Sequence, residues 1–256
     1  MEQSPLIVEV EDHIMTMTLN RPNARNAANI ELATLMAEAI DRLESDNDLR
    51  VGILTGAGGN FCAGMDLKRF ATDGSRPSLP GRGFCGITEK QPGKVLIAAI
   101  EGYALAGGFE LALACDLIVA SNQSRFGLPE VKRGLVAAAG GVMRLPRRIP
   151  YHIAMECILT GDMLEAETAH SYGLINRLVA PGEALNTAKE LAKAISRNGP
   201  LAVAASKKVV MSSPEWAPSE MFARQSEIIS PVFDSADAKE GALAFTEKRE
   251  PNWKGV

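Results

Sequence analysis

The sequence predicts an α/β core followed by a helical C-terminal region, and three observations carry that expectation. Residues 50–55, 95–100 and 117–120 are short, largely apolar runs of the kind that form buried strands. Helical patterns fall between them, at 30–44 and from Gly107 onward, so strand, crossover helix and strand recur. From Ile149 to the end the pattern is nearly all helical, with one strand candidate at 174–179.

Taken in order, residues 6–10 and 14–19 alternate apolar and polar side chains about Glu11-Asp12, the pattern of a strand hairpin. Asn20-Arg21-Pro22-Asn23 ends it. Asn29 or Asn26 then caps a helix over 30–44, where Leu32, Leu35, Met36, Ala39, Ile40 and Leu43 share one face. Strand 50–55 runs into the glycine turn Gly56-Ala57-Gly58-Gly59-Asn60. A second turn, Ala63-Gly64-Met65-Asp66, places Asp66 to cap a short helix and leaves the Met65 N–H pointing outward. Residues 71–86 are rich in Gly, Pro, Ser and Arg and lack periodicity, which reads as a long functional or mobile loop. Helices are expected over 183–198, 200–212, 218–229 and 235–247, punctuated by Gly199, Pro214 and Pro231. The chain thus divides into a core, 1–198, and a helical region, 199–256.

Composition removes several function classes. With 27 Lys and Arg against 31 Asp and Glu, the net charge of −4 gives no reason to expect nucleic acid or an acidic membrane as partner. Lys189, Lys193 and Arg197 do share a helical face, with Lys207-Lys208 following. An RNA-binding role is weighed there against a solvated face, which the acidic balance favours. The opening MEQSPLIVEVED has neither the basic nor the apolar segment of a leader, and no window is apolar for long enough to span a bilayer. The expected location is the cytoplasm. Cys62, Cys85, Cys115 and Cys157 form no CxxC pair and read as free thiols. His13, His152 and His170 are scattered outside any HExxH pattern, so no metal site is expected. There is no GxSxG and no GxxxxGK[ST], and Phe61 stands where a dinucleotide fingerprint needs its third glycine.

The stretch from Ile100 to Gly141 holds the candidate chemistry. Ala106-Gly107-Gly108 opens an apolar helical run, so unpaired backbone N–H groups can meet a ligand there. Glu110 lies one turn inside it, where a carboxylate is costly to bury without a reason. Phe126-Gly127-Leu128-Pro129-Glu130 supplies a second carboxylate. Backbone donors and two converging carboxylates suit a reaction that forms an oxyanion and moves protons.

With these residues in view, the chain resembles the crotonase superfamily, and within it the enoyl-CoA hydratases. The resemblance runs through Leu19-Asn20-Arg21-Pro22, Asn26-Ala27, Gly64-x-Asp66-Leu67, Ala106-Gly107-Gly108-Phe109-Glu110-Leu111-Ala112, Phe126-Gly127-x-Pro129-Glu130 and Phe245-Thr246-Glu247-Lys248-Arg249-Glu250-Pro251. It implies a spiral of ββα units with a helical C-terminal trimerisation region, as a homotrimer or dimer of trimers. The substrate would be an acyl-CoA thioester, with no metal or redox cofactor. The Met65 and Gly107 N–H groups would form the oxyanion hole, and Glu110 and Glu130 would hold the added water. In that pattern Glu130 protonates Cα while Glu110 orients the water and helps deprotonate it. Keeping both acids favours hydration over isomerisation.

The resemblance also places CoA along Asn23, Ala24, Arg25, Ala63, Asp66, Leu67 and Lys68, with Lys248 arriving from a neighbouring subunit. The acyl pocket would involve Phe84, Gly86, Leu135 and Ala138. Two departures stand out. Val136-Ala137-Ala138 replaces the Ile-Pro-Gly of many hydratases, and the segments 83–89 and 240–255 look closer to carnitinyl-CoA dehydratases. A carnitinyl-CoA dehydratase is therefore the second reading, and a catalytically idle scaffold a remote one.

Overall fold

The chain begins with β1 (Leu6–Glu11), β2 (Ile14–Leu19), α1 (Ile30–Ser45), β3 (Val51–Gly56) and α2 (Leu67–Asp73). Next come β4 (Ser78–Leu79), β5 (Gly83–Phe84), β6 (Val95–Ile100), β7 (Tyr103–Leu105), α3 (Gly107–Ala114), β8 (Leu117–Ser121) and β9 (Arg125–Gly127). The remainder is α4 (Gly141–Arg144), α5 (Tyr151–Thr160), β10 (Leu164–Glu165), α6 (Ala166–Ser171), β11 (Arg177–Val179) and α7 (Ala184–Ser196). Three helices close the chain: α8 (Pro200–Ser212), α9 (Met221–Phe233) and α10 (Ala236–Glu247). This computed structural model describes residues 4–256, so the first three residues of the opening stretch lie outside the described residues.

Six strands form the main sheet in the order β1-β2-β3-β6-β8-β11. β1 and β2 are antiparallel, and every later pairing is parallel. The sheet is covered on both faces, as parallel strands require. Along β6 the side chains alternate: Val95, Ile97 and Ala99 pack with Ala184, Ala188 and Ala192 of α7, whereas Leu96, Ala98 and Ile100 face the layer holding Leu32, Met36 and Leu43 of α1. Small alanines on α7 let that helix lie close to the sheet. The α/β expectation holds.

Several local expectations are corrected. The hairpin turns at Asp12-His13, one residue later than Glu11-Asp12, because both residues take left-handed conformations, with φ 48 and 67. The 71–86 stretch is more ordered than its composition suggests. α2 runs to Asp73, and β4 pairs with β5 in a small hairpin. Arg82 pins that hairpin to Asp41 of α1 through bonds to both carboxylate oxygens, at 2.6 and 2.7 Å. Pro231 does not end a helix. It lies in the last turn of α9, and the helix starts later and runs further than the expected 218–229.

Of the two caps considered for α1, Asn29 is the one used, its side chain accepting from the Leu32 N–H at 3.0 Å. An Asn29→Ala variant is expected to lose about 1 kcal/mol of stability in urea unfolding, with activity retained. Asn26 is instead fully buried. Its Oδ1 accepts from the Arg21 N–H, and its Nδ2 donates to the carbonyls of Ala57 and Asn60. It therefore ties the loop after β2 to the glycine turn after β3.

The C-terminal helices are anchored to the sheet by charge. Lys207 of α8 donates to Asp116 at 2.6 Å and to the Lys94 carbonyl, and Asp116 in turn accepts from the Leu96 N–H. Lys189 and Lys193 sit opposite Glu11 and Asp12, at 3.4 Å each. The basic face considered for RNA is thus largely matched by the chain's own acids. Among the described residues no helix is long and apolar enough to cross a membrane.

Candidate active site

A second, three-stranded sheet brings the candidate residues together. β7 pairs in parallel with β9, setting Leu105 opposite Gly127, and β10 completes the other edge. Gly107 follows two residues after Leu105, and Glu130 three residues after Gly127. Their proximity is therefore a consequence of strand register. On the other edge of β7, the Cys62 N–H donates to the Tyr103 carbonyl and the Leu105 N–H to the Cys62 carbonyl. That pairing brings the Gly64-Met65 turn to the start of α3.

The contact there is tight. A Cβ on Gly64 would lie 2.8 Å from the Ala106 Cβ and 3.3 Å from the Gly107 nitrogen. Ala106 itself takes φ 51 and ψ −130, a conformation that costs a non-glycine residue about 1–3 kcal/mol. Its N–H donates to the Gly127 carbonyl, and its own carbonyl accepts from the Glu110 N–H. Among the described residues neither the Met65 nor the Gly107 N–H has a protein acceptor, while Gly64 and Asp66 on either side of Met65 are bonded to Ala28. Two backbone donors side by side at a helix start are suited to holding a developing oxyanion.

The two carboxylates have different surroundings. Glu110, 2% exposed, accepts at Oε1 from the Ala139 N–H at 2.7 Å and the Gly141 N–H at 2.8 Å. Burial raises its affinity for a proton, and the two N–H groups and the Arg144 cation oppose that. Glu130 is half-buried, and its Oε2 is buried with no hydrogen-bond partner. Burial, reinforced by the Glu110 charge and only partly offset by its own N–H and by Arg133, pushes its carboxyl up to about 7. The unpartnered Glu130 oxygen and its upward shift make Glu130 the better proton carrier of the two, while the two N–H groups and Arg144 favour the charged form of Glu110.

The expected nucleotide-binding residues lie on the loop after β2, at the turn before α2, on α2 itself and at the end of α10. Asn23 and Ala24 form a single 3-10 turn with Pro22, and Arg25 follows in the left-handed region at φ 50. The Ala63 N–H donates to the Arg25 carbonyl, and the Arg25 guanidinium lies 5.5 Å over the Tyr103 ring. Leu67 and Lys68 are exposed on α2. Asp66 is engaged within the chain: one oxygen caps α2 at the Arg69 N–H and the other pairs with Arg21 at 2.9 Å. Lys248 ends α10 in the left-handed region, exposed.

Of the acyl-pocket residues, Phe84 is 6% exposed and packs its ring edge on Gly107, where a Cβ would meet ring carbons at 2.5–2.9 Å. Gly86 faces away, against Ala37 of α1. The Leu135 N–H donates to the Glu130 carbonyl, and Ala138 is exposed just before the turn that holds Glu110. Arg144, Thr88 and Arg21 were not legible as site residues, because a lone arginine or threonine in sequence carries no mark of what it touches. Among the described residues no group of three or more His, Cys, Asp or Glu side chains is arranged to hold a metal.

The family model described as enoyl-CoA hydratase/isomerase matches residues 9–256 of this chain. The chain belongs to that family. It is 43% identical over 254 residues to an enoyl-CoA hydratase of Mycobacterium tuberculosis, covering 97% of this chain and 96% of the relative. It is also 43% identical over 251 residues to a carnitinyl-CoA dehydratase of Salmonella arizonae, covering 94% and 95%. The crystal structure of an enoyl-CoA hydratase from Mycobacterium marinum superposes with a TM-score of 0.97 at 57% identity, covering 99% of this chain and 100% of that one. The mixed α/β architecture is that of the crotonase superfamily.

Proposed function

We propose that this family member is an enoyl-CoA hydratase, adding water reversibly across the double bond of a trans-2-enoyl-CoA. One observation carries the reading. A carboxylate held by two backbone N–H groups, Glu110, is paired with a carboxyl whose Oε2 is buried and unpartnered, Glu130, and Glu110 lies one turn into the helix that starts at the bare donor.

In the proposed reaction the Met65 and Gly107 N–H groups hold the thioester oxygen, which makes Cβ electrophilic and stabilises the enolate-like state. Water bound between the acids attacks Cβ and passes a proton toward Glu110, and Glu130 delivers its proton to Cα. The carbonyl re-forms, and a proton returns from Glu110 to Glu130 through the next bound water. Hydroxyl adds to Cβ and a proton to Cα with no net change in oxidation level, so the reaction as proposed calls for no redox group or metal.

CoA is proposed to lie along Asn23, Ala24, Arg25, Ala63, Leu67 and Lys68, with Arg25 or Lys68 meeting phosphate. Asp66 is assigned instead to holding the Met65 turn. Lys248 would act from a neighbouring subunit of a trimer or a dimer of trimers. The exposed Phe222, Phe233 and Phe245 on the C-terminal helices support assembly. The free cysteine thiols support a reducing, cytoplasmic setting.

A carnitinyl-CoA substrate would bring a quaternary ammonium, which calls for an open aromatic face or an uncommitted carboxylate. Phe84 is packed on Gly107, Tyr103 is faced by Arg25, and Arg144 and Arg133 add positive charge beside the acids. This favours an uncharged acyl group. The test is loss of enoyl thioester absorbance with crotonyl-CoA, run beside crotonobetainyl-CoA. Turnover of the second alone would replace the reading with the dehydratase, and turnover of neither would favour an idle scaffold. In the hydration direction kcat/KM is expected to fall as pH rises through about 7, because Glu130 must enter protonated and is emptied above that point. A profile flat from pH 6 to about 9 would remove Glu130 as the acid.

A further inference from the structure

The turn that holds Glu110 is itself held, by a side chain outside the pair of acids. Arg144, half-buried at the end of α4, donates through Nη1 to the Ala139 carbonyl at 3.1 Å and through Nη2 to the Thr88 carbonyl at 2.6 Å. The N–H of the same Ala139 donates to Glu110. On the far side, the Thr88 hydroxyl accepts from the Phe84 N–H at 2.8 Å, and the Phe84 ring packs on Gly107. One guanidinium thus joins the turn gripping Glu110 to the loop that backs the oxyanion donor. Gly140 takes φ 101, and a Cβ there would fall on Arg144 Nη1, so the glycine leaves the space the guanidinium fills.

We propose that Arg144 is a positioning residue for the reaction, holding the Ala139–Gly141 turn, and through it Glu110, in register with the donor at Gly107. The inference rests on the hydratase reading above. A planar fork with two diverging donors can hold two carbonyls from separate segments at once, which the point charge of a lysine cannot reproduce. Arg144 also acts as a cation. It lowers the proton affinity of Glu110, while burial and the nearby Arg148 weaken its own hold on a proton. The other charges facing this group are Glu130, which confronts Glu110, and Arg133, which confronts Glu130; the buried Cys115 thiol nearby is kept neutral by its burial.

The experiment compares Arg144→Met and Arg144→Lys with the wild type on crotonyl-CoA, across pH and with or without added guanidinium ion. Arg144→Met is expected to lose about 100-fold in kcat with KM little changed, the penalty of misplacing a catalytic group by about 1 Å. The acidic limb of its pH profile should move upward as Glu110 loses the cation, and guanidinium should restore part of kcat. Arg144→Lys keeps the charge and should keep the acidic limb, with a kcat between the two. Wild-type kcat in Arg144→Met would overturn the proposal, as would a loss with an unmoved acidic limb and no recovery in guanidinium. Hydrogen exchange, read without substrate, should quicken at 83–88 and 138–142 in Arg144→Met, and unchanged exchange would refute the link. A wild type inactive on both thioesters would refute the hydratase reading instead, so the two failures are distinguishable.

Discussion

Glu130→Gln is expected to lose about 10²–10⁴-fold in hydration of crotonyl-CoA while folding normally, the range for removing a positioned general acid. The amide keeps the shape of the carboxyl but has no proton to give to Cα. It also accounts for the sign of a second effect. A carboxyl raised from 4.5 to about 7 by burial and by the Glu110 charge disfavours the folded state once it ionises. The Glu130 contribution to stability, read as wild type minus variant, should therefore be highest below 4.5, fall as pH rises between 4.5 and about 7, and level off above. Gln does not titrate, so the variant should lack that decline. Parallel urea titrations across this range, beside the crotonyl-CoA assay, check both halves. A variant with wild-type turnover would end the acid assignment, whatever its stability.

Gly108→Ala carries the second large effect. A Cβ at Gly108 would overlap the Cys62 carbonyl, 2.7 Å from its carbon and 2.8 Å from the Cys62 Cβ. The added carbon meets the Cys62 backbone and Cβ, so no flexible end can swing aside. Cys62 is fixed to β7 by bonds to Tyr103 and Leu105, and α3 is fixed through Ala106 to Gly127. The strain must be relieved by parting the helix start from the Cys62–Asp66 turn, and with it the Met65 and Gly107 N–H groups. Loss of one such donor corresponds to about 3–4 kcal/mol of transition-state stabilisation, or about 10²–10³ in kcat. Gly59→Ala is the control. Unlike Gly108 it takes a positive φ, 74, but nothing lies within 4 Å of its added carbon. Its cost should be limited to about 1 kcal/mol of stability, with kcat unchanged. Equal loss of kcat per folded molecule in both variants would detach Gly108 from the oxyanion site.

Glu110, Gly107, Met65 and Glu130 stood out as candidates in the sequence because each stands in a local pattern, and the family resemblance gave them their expected roles. Glycines precede an apolar helix, a carboxylate lies inside it, and another follows a proline at a strand end. The same locality explains why Asn29 and Asp66 read correctly as caps, since a cap is a bond between residues three apart. The hairpin turn slipped by one residue because Glu11, Asp12 and His13 are all tolerated in turns, and only the pairing of β1 with β2 decides which take positive φ. The 71–86 stretch reads as loose because its order comes from outside it, through Arg82 to Asp41 and Phe84 to Gly107.

By itself the sequence determined the α/β class and the helical C-terminal part, which follow from periodicity, capping and turn chemistry acting over a few residues. It offered the two carboxylates and the glycine turns as candidates, and the family resemblance supplied their expected roles. Only the tertiary structure decided how the acids differ. Glu110 is bonded to a turn about thirty residues away and Glu130 is left with a bare buried oxygen, so burial and partners drawn from distant segments assign the proton. The same holds for Arg144. Its two carbonyl partners belong to segments that are separate along the chain, and folding alone brings them within reach of one guanidinium.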